Sequence, residues 1–156
     1  MSDWTIRAAE RRDVAALVRI EDEAFPEPWT RAMLLDEIAR LDNRRYSVAV
    51  EAGRIVGYLG LMFVADEVHV NTIATARGEE GRGIATSLLE EGLAAARERG
   101  ARRATLEVAA SNRRAQDLYQ RFGFAPVGVR KRYYERTGED ALVLWAELAH
   151  PGPDLR

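Results

Sequence analysis

Between Val68 and Arg99 three segments follow one another without a break. Val68 to Thr75 alternates as a strand. Arg77-Gly78-Glu79-Glu80-Gly81-Arg82-Gly83 is a glycine-rich loop. Ile84, Leu88, Leu89, Leu93 and Ala96 then mark the apolar stripe of a long helix running to about Arg99. Gly100 stands where a glycine stops a helix. A strand, a flexible loop and a helix N-terminus in direct succession demand a layered α/β arrangement. They also set unpaired backbone N–H groups and the positive end of the helix dipole beside the loop, a seat suited to a diphosphate. On these residues alone, the glycines serve equally well as a tight turn. A P-loop is excluded because Ile84-Ala85, not Lys-Ser/Thr, follows the last glycine. A dinucleotide-binding fingerprint belongs to an early strand–turn–helix of a parallel sheet, whereas this loop follows an antiparallel run.

The flanking segments extend the pattern. Trp4 to Ala8 is predicted as a first strand, and Val14, Leu17, Val18 and Ala24 as one face of a helix reaching about Phe25. Phe25-Pro26-Glu27-Pro28-Trp29 must be a loop, because its prolines cannot sit inside a helix. Thr30 is the expected cap of a helix carrying Leu34, Ile38 and Leu41. Tyr46 to Glu51 and Ile55 to Val64 form a hairpin around Ala52-Gly53-Arg54. Ala104 to Val108 is a strand. Ser111 is the expected cap of a helix with Ala115, Leu118, Tyr119 and Phe122 on one face, and Gly123 ends it. Phe124 to Glu135 and Asp140 to Leu148 are the last strands, turning at Thr137-Gly138-Glu139. The predicted class is α/β with a mixed sheet, in the order β-α-α-β-β-β-α-β-α-β-β. Residues 1–149 are expected to form a single domain, and 150–156, with two prolines and a glycine, a frayed tail.

Composition narrows the chemistry. The chain has no cysteine, which removes thiolate catalysis, disulfides and cysteine-bound metal. A metal site is not expected, since one of the two histidines, His150, lies in the tail. The net charge of −2 gives no bulk field for nucleic acid or anionic membrane. The first ten residues lack the apolar core of a signal peptide and no apolar run approaches a membrane span, so a cytoplasmic location is expected.

A second motif lies downstream: Leu106-Glu107-Val108, then Ala110-Ser111-Asn112, then Leu118-Tyr119-Gln120-Arg121-Phe122-Gly123-Phe124. With the glycine loop, it resembles the GNAT superfamily of acetyl-CoA-dependent N-acetyltransferases, and the whole chain fits that element order. Phe25-Pro26, Trp29, the Leu-Glu-Val strand, Arg132-Tyr133-Tyr134 and Glu139-Asp140-Ala141 are most similar to the branch that acetylates the N-terminal alanine of a ribosomal protein. The loop differs from the usual pattern at Glu80, where Arg or Gln is customary. Glu79 and Glu80 are expected to face solvent while backbone amides hold the phosphates.

The resemblance implies acetyl-CoA as co-substrate, Glu107 as general base and Tyr119 as the acid that protonates the departing thiolate. It implies Ile73, Ala74 and Thr75 as backbone partners of pantetheine. Gly81, Arg82, Gly83, Ile84, Ala85 and Thr86 are the implied pyrophosphate seat, and Asn112 a further contact to the cofactor. The residues also admit plainer roles: Glu107 as an exposed strand carboxylate, Tyr119 as a packed core ring, Asn112 as a helix cap. His69 is the alternative base, acting through water. Phe25, Trp29, Tyr133 and Tyr134 are candidates for gripping the substrate's first residues, aromatic walls with polar tips. Arg113, Arg114, Arg130, Lys131 and Arg132 are candidate phosphate partners, most of them expected to be solvated. The expected partner is a protein or peptide N-terminus, with the enzyme a monomer or weak dimer; a small-molecule amine (aminoglycoside, polyamine or amino acid) and a non-catalytic CoA-binding module are the alternatives.

Overall fold

A computed structural model describes residues 3–148. The elements are β1 Thr5–Ala8, a 3₁₀ turn at Arg11–Asp13, α1 Val14–Ala24, α2 Arg31–Ala39, β2 Arg44–Glu51, β3 Arg54–Val64, β4 Glu67–Thr75, α3 Ile84–Arg99, β5 Arg103–Ala109, α4 Arg113–Arg121, β6 Ala125–Tyr134 and β7 Glu139–Glu147. This is the predicted mixed α/β order, with the short turn added. Pairing places the strands in the order β1-β2-β3-β4-β5-β7-β6. The chain divides into two compact units, Met1–Met62 with Val70–Gly92, and Phe63–His69 with Leu93–Arg156; β3, β4 and α3 run from one into the other. The predicted tail, with His150, lies outside the described residues.

In the first unit β1, β2 and β3 pair antiparallel. Ala52 and Gly53 both take positive φ, 50° and 79°, the backbone that a two-residue hairpin needs to match the twist of its strands. Val14, Leu17 and Ile20 of α1, Leu34 of α2, Tyr46 and Val48 of β2, Tyr58 of β3 and Ala74 of β4 form one buried cluster. Each leucine fully removed from water here contributes about 2 kcal/mol. Thr30 caps α2 by accepting from Met33 N–H at 3.2 Å. The helix stops short of the predicted stripe, however: Arg40 leaves helical geometry, and Leu41 is 83% exposed. At the start of α3, Ile84, Leu88 and Leu89 are buried. A Cβ at Gly57 would stand 2.7 Å from Ile84 Cγ2, so the glycine lets the helix approach β3 closely.

In the second unit Glu67, Val68 and His69 pair parallel with Arg103, Ala104 and Thr105. Parallel neighbours require a crossover, and α3 supplies it. Gly100, with φ 105°, closes α3, with Ala101 N–H donating to Ala96 O and Gly100 N–H to Arg97 O, both at 2.9 Å. β5 pairs antiparallel with β7, and β7 with β6. The cap of α4 is Asn112, not Ser111: Asn112 Oδ1 accepts from Ala115 N–H at 3.1 Å. Ser111 instead donates its N–H to Glu139 at 2.6 Å.

Candidate active site

Burial alternates along β4 and β5, so one face of each strand is packed and the other half-open. Leu106 and Val108 fill the packed face of β5, which leaves Glu107 on the half-open one. His69 stands opposite Thr105 in the parallel ladder, and Glu107 lies two residues further along the same face. The two side chains meet, with His69 Nε2 2.9 Å from Glu107 Oε1. The other carboxylate oxygen faces Arg130, whose Nη1 stands 3.9 Å away. The His69 hydrogen bond, reinforced by the charges of His69 and Arg130, outweighs partial burial and holds the Glu107 carboxyl below the ordinary glutamate range. It is therefore ionised at neutral pH. The sequence singled out both residues but gave no sign that they touch.

Tyr119 lies in the last turn of α4 and is 6% exposed. Its ring packs on Phe124 with centroids 5.7 Å apart. Burial, with a smaller contribution from Tyr134, pushes its phenol well above the ordinary tyrosine range, so it stays protonated. No hydrogen bond from its hydroxyl is found among the described residues. One turn earlier, Gln116 Nε2 donates to Ala109 O at 3.1 Å and to Ala110 O at 3.0 Å, tying α4 to the end of β5 just beyond Glu107. Tyr133 and Tyr134 meet edge to face, with centroids 5.1 Å apart. Arg130 lies over Tyr133 at 4.7 Å as well as beside Glu107. Lys131 Nζ and Arg132 N–H both donate to Asp140, at 3.4 and 2.9 Å. Arg113 and Arg114 are exposed.

The glycine loop belongs to the first unit. Gly78, Gly81 and Gly83 all take positive φ, 89°, 81° and 91°. A Cβ at Gly83 would meet no atom within 4 Å. Protein crowding thus does not explain that glycine, whereas its positive φ does. The amides of Ile84, Ala85 and Thr86 open α3 and have no acceptor within the helix. This arrangement fits a diphosphate held by backbone N–H groups. The side chain of Arg82 is engaged elsewhere: it forms a two-pronged pair with Glu51 at 2.9 and 2.7 Å, binds Glu79 at 2.6 Å and lies over Trp4 at 5.4 Å. Glu79 is accordingly held by Arg82 and Arg54 and does not simply face solvent. Glu80 accepts from Gly78 N–H at 2.7 Å. Ile73 and Thr75 lie on the half-open face of β4, with Ala74 buried between them.

Phe25 and Trp29 pack against the core of the first unit. The loop that carries them is fixed by Glu21, a wholly buried carboxyl absent from the sequence-based candidates. Glu21 accepts from Trp29 N–H at 2.7 Å, from the Thr72 hydroxyl at 2.7 Å and from the Tyr58 hydroxyl. Burial raises its pKa against the pull of these donors. Glu37 repeats the device on α2, gathering Arg44, Tyr46 and Asn71. The signal was legible: both glutamates sit on apolar stripes, Glu21 seven residues after Val14 and Glu37 three after Leu34.

Comparison with known proteins bears on the family and the fold. Residues 14–124 match the model of the Acetyltransferase (GNAT) family. The chain is 34% identical over 143 residues to a putative [ribosomal protein bS18]-alanine N-acetyltransferase of Bacillus subtilis, covering 92% of this chain and 95% of that one. It is 35% identical over 153 residues to the N-alpha-acetyltransferase RimI of Mycobacterium tuberculosis, covering 94% of each. The crystal structure of the ribosomal-protein-S18-alanine N-acetyltransferase from Escherichia coli superposes with a TM-score of 0.87 at 27% identity, covering 98% of this chain and 99% of that one. With the match spanning most of its length and the fold in agreement, the chain belongs to the GNAT family of acetyltransferases.

Proposed function

We propose that the chain transfers the acetyl group of acetyl-CoA to the α-amino group at the N-terminus of a protein, and that its substrate is a ribosomal protein of the bS18 type beginning with alanine. The support that carries the proposal is Glu107, bonded to His69 on the half-open face of β5, in a chain whose near-full-length relatives bear that activity in their names.

Acetyl-CoA supplies the acetyl group as a thioester. The amides of Gly81, Arg82, Gly83, Ile84, Ala85 and Thr86 hold its diphosphate, and the backbone of Ile73, Ala74 and Thr75 meets the peptide-like pantetheine. Asn112 is the remaining contact, through whatever capacity its capping bond leaves. The substrate's α-amino group has a pKa of about 8, so near neutral pH most of it lacks a lone pair. Glu107 removes the proton, and Tyr119, kept protonated by burial, gives one to the departing sulfur. Phe25, Trp29, Tyr133 and Tyr134 hold the first residues of the substrate. No helix among the described residues is long and apolar enough to cross a membrane. A ribosomal substrate places the enzyme in the cytoplasm, where it acts as a monomer or weak dimer.

The test is CoA release from acetyl-CoA with two matched peptides, one starting with free alanine and one blocked at its N-terminus but carrying lysines. Release with the free peptide alone is expected. Release with neither peptide, but with a polyamine or aminoglycoside, overturns the proposed substrate. A further expectation concerns the loop: Glu80→Arg should bind acetyl-CoA at least as tightly as the wild type by calorimetry, because it removes a carboxylate from the phosphate seat while the amides remain. A tenfold or greater loss, about 1.4 kcal/mol, would show that the Gly78–Glu80 bond shapes the seat.

A further inference from the structure

The Glu139-Asp140-Ala141 motif of β7 faces an irregular stretch of β6. Arg130 pairs with Ala141 and Tyr134 with Glu139, so Lys131, Arg132 and Tyr133 together stand opposite the single residue Asp140. Regular pairing from Arg130 would put Arg132 opposite Glu139. The two additional residues put Tyr134 there instead. Directly paired residues share a sheet face, and alternate residues of a strand do too. Glu107 pairs with Val143, which alternates with Ala141 and Glu139, so Tyr134 lies on the Glu107 face of the sheet. It lies there in a place that a cation would otherwise take, and it acts on the Tyr119 phenol. Bulges beside active sites re-aim side chains in this way.

The bulge needs a hold. Arg132 takes φ 50°, a left-handed backbone that residues other than glycine rarely adopt. Its N–H donates to Asp140 Oδ1 at 2.9 Å, and Lys131 Nζ donates to Oδ2 at 3.4 Å. The Arg132 N–H, with a smaller contribution from Lys131, holds the Asp140 carboxyl below the ordinary aspartate range, so it is ionised at neutral pH. The backbone of Asp140 reaches the other way: its carbonyl accepts from Ala110 N–H at 3.0 Å, just past the end of β5. Asp140 thus ties the bulge to the strand that carries Glu107. We propose that Asp140 is a positioning residue for the substrate: its carboxylate clamps the bulge at Arg132 and so sets Tyr133 and Tyr134 to receive the first residues of the acceptor peptide. This rests on the acetyl-transfer reading, in which those tyrosines grip the peptide. The two rings meet edge to face at 5.1 Å, and Arg130 lies over Tyr133 at 4.7 Å, so the bulge aims all three side chains together. Without the clamp, β6 is free to pair regularly, which brings Arg132 and its charge opposite Glu139 in place of Tyr134. That charge opposes the ammonium of the arriving N-terminus.

The test joins steady-state kinetics with a peptide starting in free alanine to amide hydrogen exchange of the free enzyme by NMR. Asp140→Ala is expected to raise KM for the peptide roughly tenfold or more, with KM for acetyl-CoA and kcat within about threefold of wild type. Asp140→Asn keeps an oxygen for Arg132 N–H and should stay within about threefold in all three constants. Adding Arg132→Gly to Asp140→Ala should restore most of the peptide KM, because glycine takes positive φ without a clamp and carries no charge. A residue that merely stabilises the sheet would show no such rescue. The Arg132 amide should exchange at least roughly tenfold faster in Asp140→Ala than in the wild type. A wild-type peptide KM in Asp140→Ala, or an equal loss in Asp140→Ala, Asp140→Asn and the double variant, overturns the proposal. Should Asp140→Ala fail to fold, the double variant decides: a peptide KM near wild type supports the clamp, and one raised roughly tenfold overturns it. Exchange needs no substrate, so an Arg132 amide indifferent to Asp140→Ala shows that the clamp itself is wrong. Failure of the acetyl-transfer reading shows separately, as no CoA release by the wild type with the peptide, and takes the substrate role of Asp140 with it.

Discussion

Glu107→Gln and Tyr119→Phe are each expected to slow acetyl transfer by roughly 10²-fold or more while leaving the fold intact. The two variants fail for different reasons. Glutamine keeps the shape of Glu107 and a partner for His69 but accepts no proton. Phenylalanine keeps the ring that packs on Phe124 and loses only a hydroxyl that makes no hydrogen bond among the described residues. Thermal unfolding should thus hardly move in Tyr119→Phe. Steady-state turnover beside an unfolding curve checks both statements. Near-normal turnover in both variants would remove the assigned roles, and a large fall in stability of Tyr119→Phe would mark the residue as core packing.

Glu21→Leu should produce the largest loss of stability. The substitution leaves the part-buried Trp29 N–H and one of the two buried hydroxyls without an acceptor, since Tyr58 and Thr72 keep each other at 3.3 Å. Stranded polar groups cost about 1–3 kcal/mol each, so a loss of about 3 kcal/mol or more is expected, or roughly 6–12 °C in Tm for a chain of this size. Glu21→Gln keeps an acceptor for Trp29 and an amide that can donate to both hydroxyls, and should lose far less. The two also differ in pH dependence. Burial raises the folded pKa of Glu21 above its unfolded value. Its contribution is complete below the ordinary glutamate range, near 4.3. It drains away as pH rises toward the folded value, because the unfolded chain ionises first. Wild-type Tm should therefore decline relative to Glu21→Gln over that interval. Parallel Tm curves for the two would show that Glu21 is not held protonated. Because Glu21 fixes the backbone at Trp29, Glu21→Leu should also raise KM for a peptide substrate.

Local signals carried most of the fold into the sequence. The stripe of α3 and Gly100 marked both ends of that helix, and Ala52-Gly53 marked the hairpin turn through its demand for positive φ. Errors arose where neighbouring residues compete on equal terms. Ser111 and Asn112 are both good caps, and the backbone chose the second. Leu41 continued a helical spacing that Arg40 had already left. The site was legible in its parts but not in its pairings. Glu107 announced itself as a carboxylate between core residues, and its partner lies 38 residues away. Their contact depends on the register of a parallel ladder joined by a crossover, which no turn sequence fixes. Glu21 and Glu37 were hidden in another way. A glutamate in an amphipathic helix reads as solvated unless its place on the apolar stripe is taken as evidence of buried partners.

The most direct test is to incubate the enzyme with acetyl-CoA and an intact bS18-type ribosomal protein beginning with free alanine, then locate the acetyl group by mass spectrometry. A single acetyl on the α-amino nitrogen of that alanine, present with the wild type and nearly absent with Glu107→Gln, is the predicted result. Acetyl groups on lysine side chains alone, or an unmodified protein under conditions in which the same enzyme acetylates a small amine, would contradict it.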